Sequence, residues 1–130
     1  MASAARAASS VRPQYEYTSD RWAVYTASRA PSSPDAKRPV VSAAADSGAD
    51  GVCLDLEEPE TPMTDAVRER AHAVVGAFLR SRPADAREPR YFVRVRAAST
   101  GMAFRDLRAV VTPALAGVLI PKLRGPEDVI

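Results

Sequence analysis

Three acids, Asp55, Glu57 and Glu58, stand within four positions directly after the apolar run Val52-Cys53-Leu54. Alternation along an extended chain puts Asp55 and Glu57 on one side, so two carboxylates can converge there on a hard cation or its waters; a solvated acidic loop is the alternative. Arg94 and Arg96 share a face with Phe92, while Val93 and Val95 take the opposite one. If the valines meet covering helices, the arginines face inward, where an unpaired guanidinium is costly to bury. They then need an anion, and their planar fork suits a carboxylate or phosphate of a substrate; an edge strand with two exposed arginines is the alternative. Lys122 follows Pro121 at the end of another apolar run, placed to neutralise Asp55 or Glu57 or to touch substrate.

These groups can act together only if the elements carrying them end side by side. Trp22 to Thr26, with its aromatic and β-branched residues, predicts a strand. After a loop from Ser28 to Pro34, a helix is expected to open near Ala36 or Pro39, to carry Val40, Val41, Ala44 and Ala45 on one face, and to end at Gly48. Gly51 to Leu56 predicts a second strand, and its continuous apolar stretch suits burial on both faces, as in a parallel sheet. Beyond the proline-bounded loop Glu57 to Met63, Thr64 is placed to cap a helix whose Val67, Ala71, Val74, Val75, Phe78 and Leu79 recur at helical spacing. His72 lies off that stripe and is expected to face solvent.

A polar linker, Ser81 to Pro89, leads to a third strand, Tyr91 to Arg96. A short helix with Phe104, Leu107, Val110 and Val111 follows, then a fourth strand, Gly117 to Pro121, and at Pro126 to Ile130 the opening turn of another helix. Strands alternating with helices imply βαβ units, right-handed crossovers and a parallel sheet, hence the α/β class. Reactive groups of such sheets gather at the carboxyl ends of the strands, where all the charged residues named above stand.

Composition narrows the function classes. The chain has 130 residues, 46% of them hydrophobic and 26% charged, which suits one globular domain. Acids and bases are interleaved around a net charge of +2, with no basic stripe of the kind that tracks phosphates, so no nucleic acid partner is expected. No apolar run approaches the roughly 20 residues of a membrane-spanning helix, so no membrane is expected either. The single cysteine, Cys53, can make no internal disulfide and reads as a small core residue. Residues 1–20 are expected to be a disordered or transit-like tail, because Met1 to Ser10 is Ala/Ser-rich, holds Arg6 and has no acid. A cytoplasmic or a mitochondrial location follows from those two alternatives.

Three segments together resemble the citrate lyase beta-subunit-like family, also called the HpcH/HpaI aldolase superfamily. They are Ser47 to Glu58, then Val93-Arg94-Val95-Arg96, then Gly117 to Lys122 with Glu127-Asp128-Val129 behind it, and the likeness covers roughly Trp22 to Ile130. The resemblance implies a parallel (β/α) barrel of the TIM type, present here as an incomplete N-terminal half of about four βα units over residues 21–130. It implies a magnesium-dependent carbon–carbon lyase or aldolase acting on acyl-CoA thioesters of hydroxy diacids, of the citryl-CoA or malyl-CoA class, and a homo-oligomer.

By the same resemblance, Arg94 matches the family's substrate-binding arginine, and Glu57 and Glu58 an acidic pair close to the waters of Mg2+, so these three carry the catalytic expectation. Tyr25 and Lys37 fall near positions that contact coenzyme A, and Lys122 joins them as a substrate-binding candidate. In the family the carboxylates that ligate magnesium directly come from later strands, so this chain alone is expected to show little activity. The family usually has Asp at Glu58, Lys near Asp65 and Asn at Arg96, and Ala27-Ser28 replaces a common Pro-Gly. A non-catalytic half-barrel that binds a partner or pairs with itself is the alternative from another class; a flavodoxin-like domain lacks its glycine-rich phosphate loop here.

Overall fold

The computed structural model describes residues 18–19, 22–26, 40–57, 64–85 and 89–129. In chain order these form β1 (Thr18–Ser19), β2 (Trp22–Thr26), α1 (Val40–Ala45), β3 (Gly51–Asp55), α2 (Asp65–Arg80), β4 (Arg90–Arg94), α3 (Ala103–Val110) and β5 (Leu115–Leu119), with single 3-10 turns at Ala98–Thr100 and Pro126–Asp128. The sheet runs in the order β1-β2-β3-β4-β5. β1 is antiparallel to β2, and each later pair is parallel. The expected α/β class with a parallel sheet is therefore present. Thr18 and Ser19, inside the segment expected to be a tail, instead extend the sheet by a short strand.

The core explains why these segments take these forms. All five residues of β3 are buried, as its unbroken apolar run required. Val52, Leu54 and Leu56 share one cluster with Tyr91, Val93 and Val95 from the β4 side, Ala71, Val75, Phe78 and Leu79 from α2, Val110 from α3 and Val41 from α1. Phe78 meets Tyr91 edge to face, ring centres 5.3 Å apart, which fixes α2 against β4. At the start of α2, Thr64 Oγ1 accepts from the Val67 amide at 3.3 Å; Asp65 in the first turn and Arg80 in the last complement the helix dipole.

Two expectations shift. The third and fourth strands begin and end one or two residues earlier than the apolar runs suggest, because the ladder stops where Arg96 and Pro121 leave it. Of the apolar residues expected on the inward face of α3, Val110 is buried and Leu107 packs against the core, but Phe104, and Val111 just past the helix end, face outward. Phe104 is 71% and Val111 64% exposed, while Asp106 and Val110 are buried. Asp106 joins Val110 and Leu107 on the inner face because it meets a buried arginine there, as described below.

α2 and α3 approach most closely at Gly76, where an added Cβ would lie 2.6 Å from the Ala109 carbonyl oxygen. A backbone oxygen cannot swing aside. Gly76→Ala is expected to destabilise the fold by about 1–3 kcal/mol through overpacking, despite the better helix propensity of alanine. Urea denaturation of both proteins reads the difference, and an alanine variant as stable as the parent would contradict this packing.

Candidate functional site

Parallel register sets the charged residues in a row. Asp55 ends β3 directly opposite Arg94, and Arg94 lies opposite Leu119 at the end of β5. Neighbouring strands are roughly 4.8 Å apart, so an acid and a base in register are within side-chain reach. Arg94 donates from Nε to Asp55 Oδ1 at 2.9 Å and from Nη2 to Oδ2 at 2.6 Å. Asp55 Oδ1 also accepts from the Glu57 amide at 2.9 Å, and this bond turns the chain after β3 so that Glu57 comes back over Arg94. There Glu57 Oε2 lies 3.3 Å from Arg94 Nε, and Lys122 Nζ approaches Glu57 Oε1 to 2.9 Å. Buried Oε1 takes no conventional hydrogen bond and is met by the Lys122 ammonium as an ion pair.

Electrostatics follow from these contacts. The hydrogen bonds to Asp55 hold the Arg94 guanidinium still more firmly protonated than usual, against an opposing effect of burial. Burial, reinforced by the charge of Asp55, pushes the Cys53 thiol up to about 11, so this buried cysteine is no nucleophile near neutral pH. Lys122 has φ 54°, a left-handed backbone that a residue with a Cβ adopts at a cost, and it is the one non-glycine residue in that region among those described.

Arg96 lies beyond the end of β4 and is 3% exposed. Its counter-ion is Asp106 of α3, which is fully buried: Oδ2 accepts from the Arg96 amide at 2.8 Å and Nε at 3.1 Å, and Oδ1 accepts from Nη2. His72 Nε2 of α2 reaches the same Oδ1 at 2.7 Å. Two corrections result. His72 does not face solvent; the need of a buried carboxylate for donors draws it inward. The second is that each arginine already has an anion of the protein as partner, Asp55 for Arg94 and Asp106 for Arg96.

A cleft of about 310 Å3 opens among Glu57, Arg68, Arg96, Thr100, Met102 and Lys122. It is lined by three cations and one acid. Of the candidates read from sequence, Glu57, Arg94 and Lys122 are thus brought together, although Arg94 is turned to Asp55 and does not line the cleft. Tyr25 is placed in β2 in register with Leu54, and its side chain lies outside the described residues, as do Lys37 and Glu58 altogether. Asp106 and Arg68 escaped the sequence analysis. Asp106 had a signal: two inward arginines called for two acids, and it is the acid nearest in sequence after Arg96.

Among the described residues the donor set is too small to ligate Mg2+ directly. Asp55 is engaged by Arg94, and among the described residues no three of His, Cys, Asp and Glu converge as a metal group. Asp55 and Glu57 do converge, and the cation between them is the Arg94 guanidinium. Glu57 Oε1 has the chemistry to accept from a metal-bound water, which is less than direct ligation.

In parallel α/β sheets, sites form at the carboxyl ends of the strands, where these charges stand. The family model for HpcH/HpaI aldolase/citrate lyase matches residues 33–130, and the chain belongs to that family. No curated protein matches the sequence. Among the described residues no helix is long and apolar enough to cross a membrane.

Asp106 also has a measurable signature in stability. Burial acts to raise its carboxyl, but the hydrogen bonds from the Arg96 side chain and amide and from His72 outweigh it and hold the group below its ordinary value. The ionised carboxylate therefore stabilises the fold fully above about pH 4, and this contribution is lost as the pH falls through the lower folded value. Asp106→Asn is expected to cost about 3–5 kcal/mol near neutrality, since it leaves Arg96 buried without its counter-charge. Urea denaturation between roughly pH 2 and 7 is expected to show a flatter acid limb in the variant; equal slopes in both proteins would contradict the pairing.

Proposed function

We propose that this chain supplies the acyl-group end of a carbon–carbon lyase acting on CoA thioesters of hydroxy diacids, the citryl-CoA or malyl-CoA class. Family membership supports a lyase or aldolase activity. The observation that carries the finer assignment is the position of Glu57, an acid held between Arg94 and Lys122 at the mouth of a cation-lined cleft. Lys122, 73% exposed, can meet an incoming carboxylate with little desolvation, and the half-buried Glu57 can accept a hydrogen bond or a proton from the group beside it. Asp55 keeps Arg94, and through it Glu57, in place.

In this proposal the parallel sheet of residues 21–130 is the first part of a (β/α) barrel. Mg2+, in keeping with the general divalent-metal dependence of the family, supplies Lewis-acid stabilisation of an enolate when bound. Glu57 would accept from a water of the bound ion, and the residues that would ligate the ion directly would come from outside the described ones.

A second assignment, an associating half-barrel, is favoured by one feature. β5 is the last strand of the described sheet, and Leu119, Leu123 and Val129 around it are exposed together with Phe104 and Val111 of α3. Homo-oligomer formation through this side is compatible with either assignment.

The purified chain is expected to bind malyl-CoA or citryl-CoA in calorimetric titrations with Mg2+, and to cleave either thioester slowly or not at all. Absence of binding to both would overturn the lyase assignment. Robust magnesium-dependent turnover would overturn the view that the described donors leave the metal centre incomplete. Sedimentation of the same sample at low micromolar concentration separates the second assignment, which a monomer would rule out.

A further inference from the structure

We infer that the groove between α1 and α2 is a site for a monomeric medium-chain aliphatic carboxylate, its chain lying on Val74 and Phe78 and its carboxylate paired with Arg82. The site goes beyond the lyase assignment and does not rest on it. Arg68, which lines the strand-end cleft, lies in the first turn of α2, and Arg82 lies just past the last turn, roughly 20 Å away at the rise of a helix. The two sites are therefore at opposite ends of the same helix.

The groove has a volume of about 470 Å3, a size ordinary for small-molecule sites, and Val41 of α1 with Val74 and Phe78 of α2 gives it an apolar floor. Ala73 and Ala77, exposed and one turn apart, keep its wall low. At one end the Arg82 guanidinium lies over the Phe78 ring, 4.7 Å from its centre, and donates from Nε and Nη2 to Ser81 Oγ at 3.3 Å. Among the described residues no carboxylate pairs with it. A guanidinium has five N–H donors, so those not turned to Ser81 can grip a ligand carboxylate in a charge-assisted pair.

Length and width choose the occupant. From Ala73 to Arg82 the helix rise covers about 13 Å, the extended length of an aliphatic acid of about ten carbons. A partner helix about 10 Å across would need roughly twice the volume of the groove over that length, whereas a single chain fits within it. The cation at the end then selects an acid over an amine or an alcohol.

Amide-NMR titration of the full chain with decanoate, kept below micelle formation, is expected to show saturable binding with shifts concentrated between residues 73 and 82. Butanoate, which lacks six of the methylenes, is expected to bind at least about a hundredfold more weakly. Decyltrimethylammonium, of opposite charge, and the Arg82→Gln variant titrated with decanoate are each expected to show affinity reduced about tenfold or more. Ala77→Trp, which fills the groove from an exposed helix position, is expected to abolish binding, and Arg108→Gln on the exposed side of α3 to leave it unchanged.

No decanoate binding, equal affinity for decanoate and butanoate, or an Arg82→Gln variant that binds as the parent does would each overturn the site. So would a folded Ala77→Trp that still binds, or unsaturable shifts spread over exposed apolar residues such as Phe104. The thioester titrations above judge the lyase assignment separately, since neither result requires the other.

Discussion

Opposite Arg94, one strand away, stands Asp55, 3% exposed and gripped at both oxygens by the guanidinium. A carboxylate so buried is tolerable only with a charged partner of good geometry, and removing either partner would strand the other. The pair therefore locks the register of β3 against β4 at their carboxyl ends, because a slip of one residue would turn Asp55 or Arg94 to the opposite face of the sheet. Glu57 depends on the same contact twice over. Its amide is tied to Asp55, and its carboxylate lies against Arg94. Lys122, arriving from the end of β5, then closes a row of alternating charge across three strands.

A second buried ion pair repeats this logic one layer deeper. Asp106 brings α3 to the end of β4 through Arg96 and to α2 through His72. It lies on the buried side of α3 together with Val110. α3 is thus held by hydrogen bonds as well as by apolar packing. Charge-assisted bonds of this kind are directional, so they position Arg96, which lines the cleft, more sharply than a purely apolar contact would. Gly76 completes the arrangement by letting α3 approach α2 at backbone distance.

Local pattern made much of this legible in the sequence. The alternation of β-rich runs with helical periodicity gave the parallel α/β class, and the unbroken apolar stretch before Asp55 marked a strand covered on both faces. Placement of Glu57, Arg94 and Lys122 at strand ends followed from the same pattern. Partner identity did not, because Asp55 and Arg94 are 39 positions apart and His72 and Asp106 are 34 apart, separations at which periodicity carries no information. Each arginine showed its need for an anion, but not that the protein itself would meet it. His72 was misplaced for a related reason: it sits beside the apolar stripe of α2, and only the arrival of Asp106 from another helix gives it cause to be buried. The ion-paired oxygen of Glu57 and the left-handed backbone at Lys122 are properties of three-dimensional arrangement with no counterpart in residue order.

The claim on which the site depends is that Asp55 and Arg94 are directly paired across parallel strands. A double-mutant cycle built from Asp55→Asn, Arg94→Gln and the combined variant, read by urea denaturation, measures that pairing. The structure calls for a coupling of about 1 kcal/mol or more, toward the middle of the usual range because Arg94 is partly open to solvent. Losses that simply add, to within about 0.5 kcal/mol, would mean that the two residues do not meet.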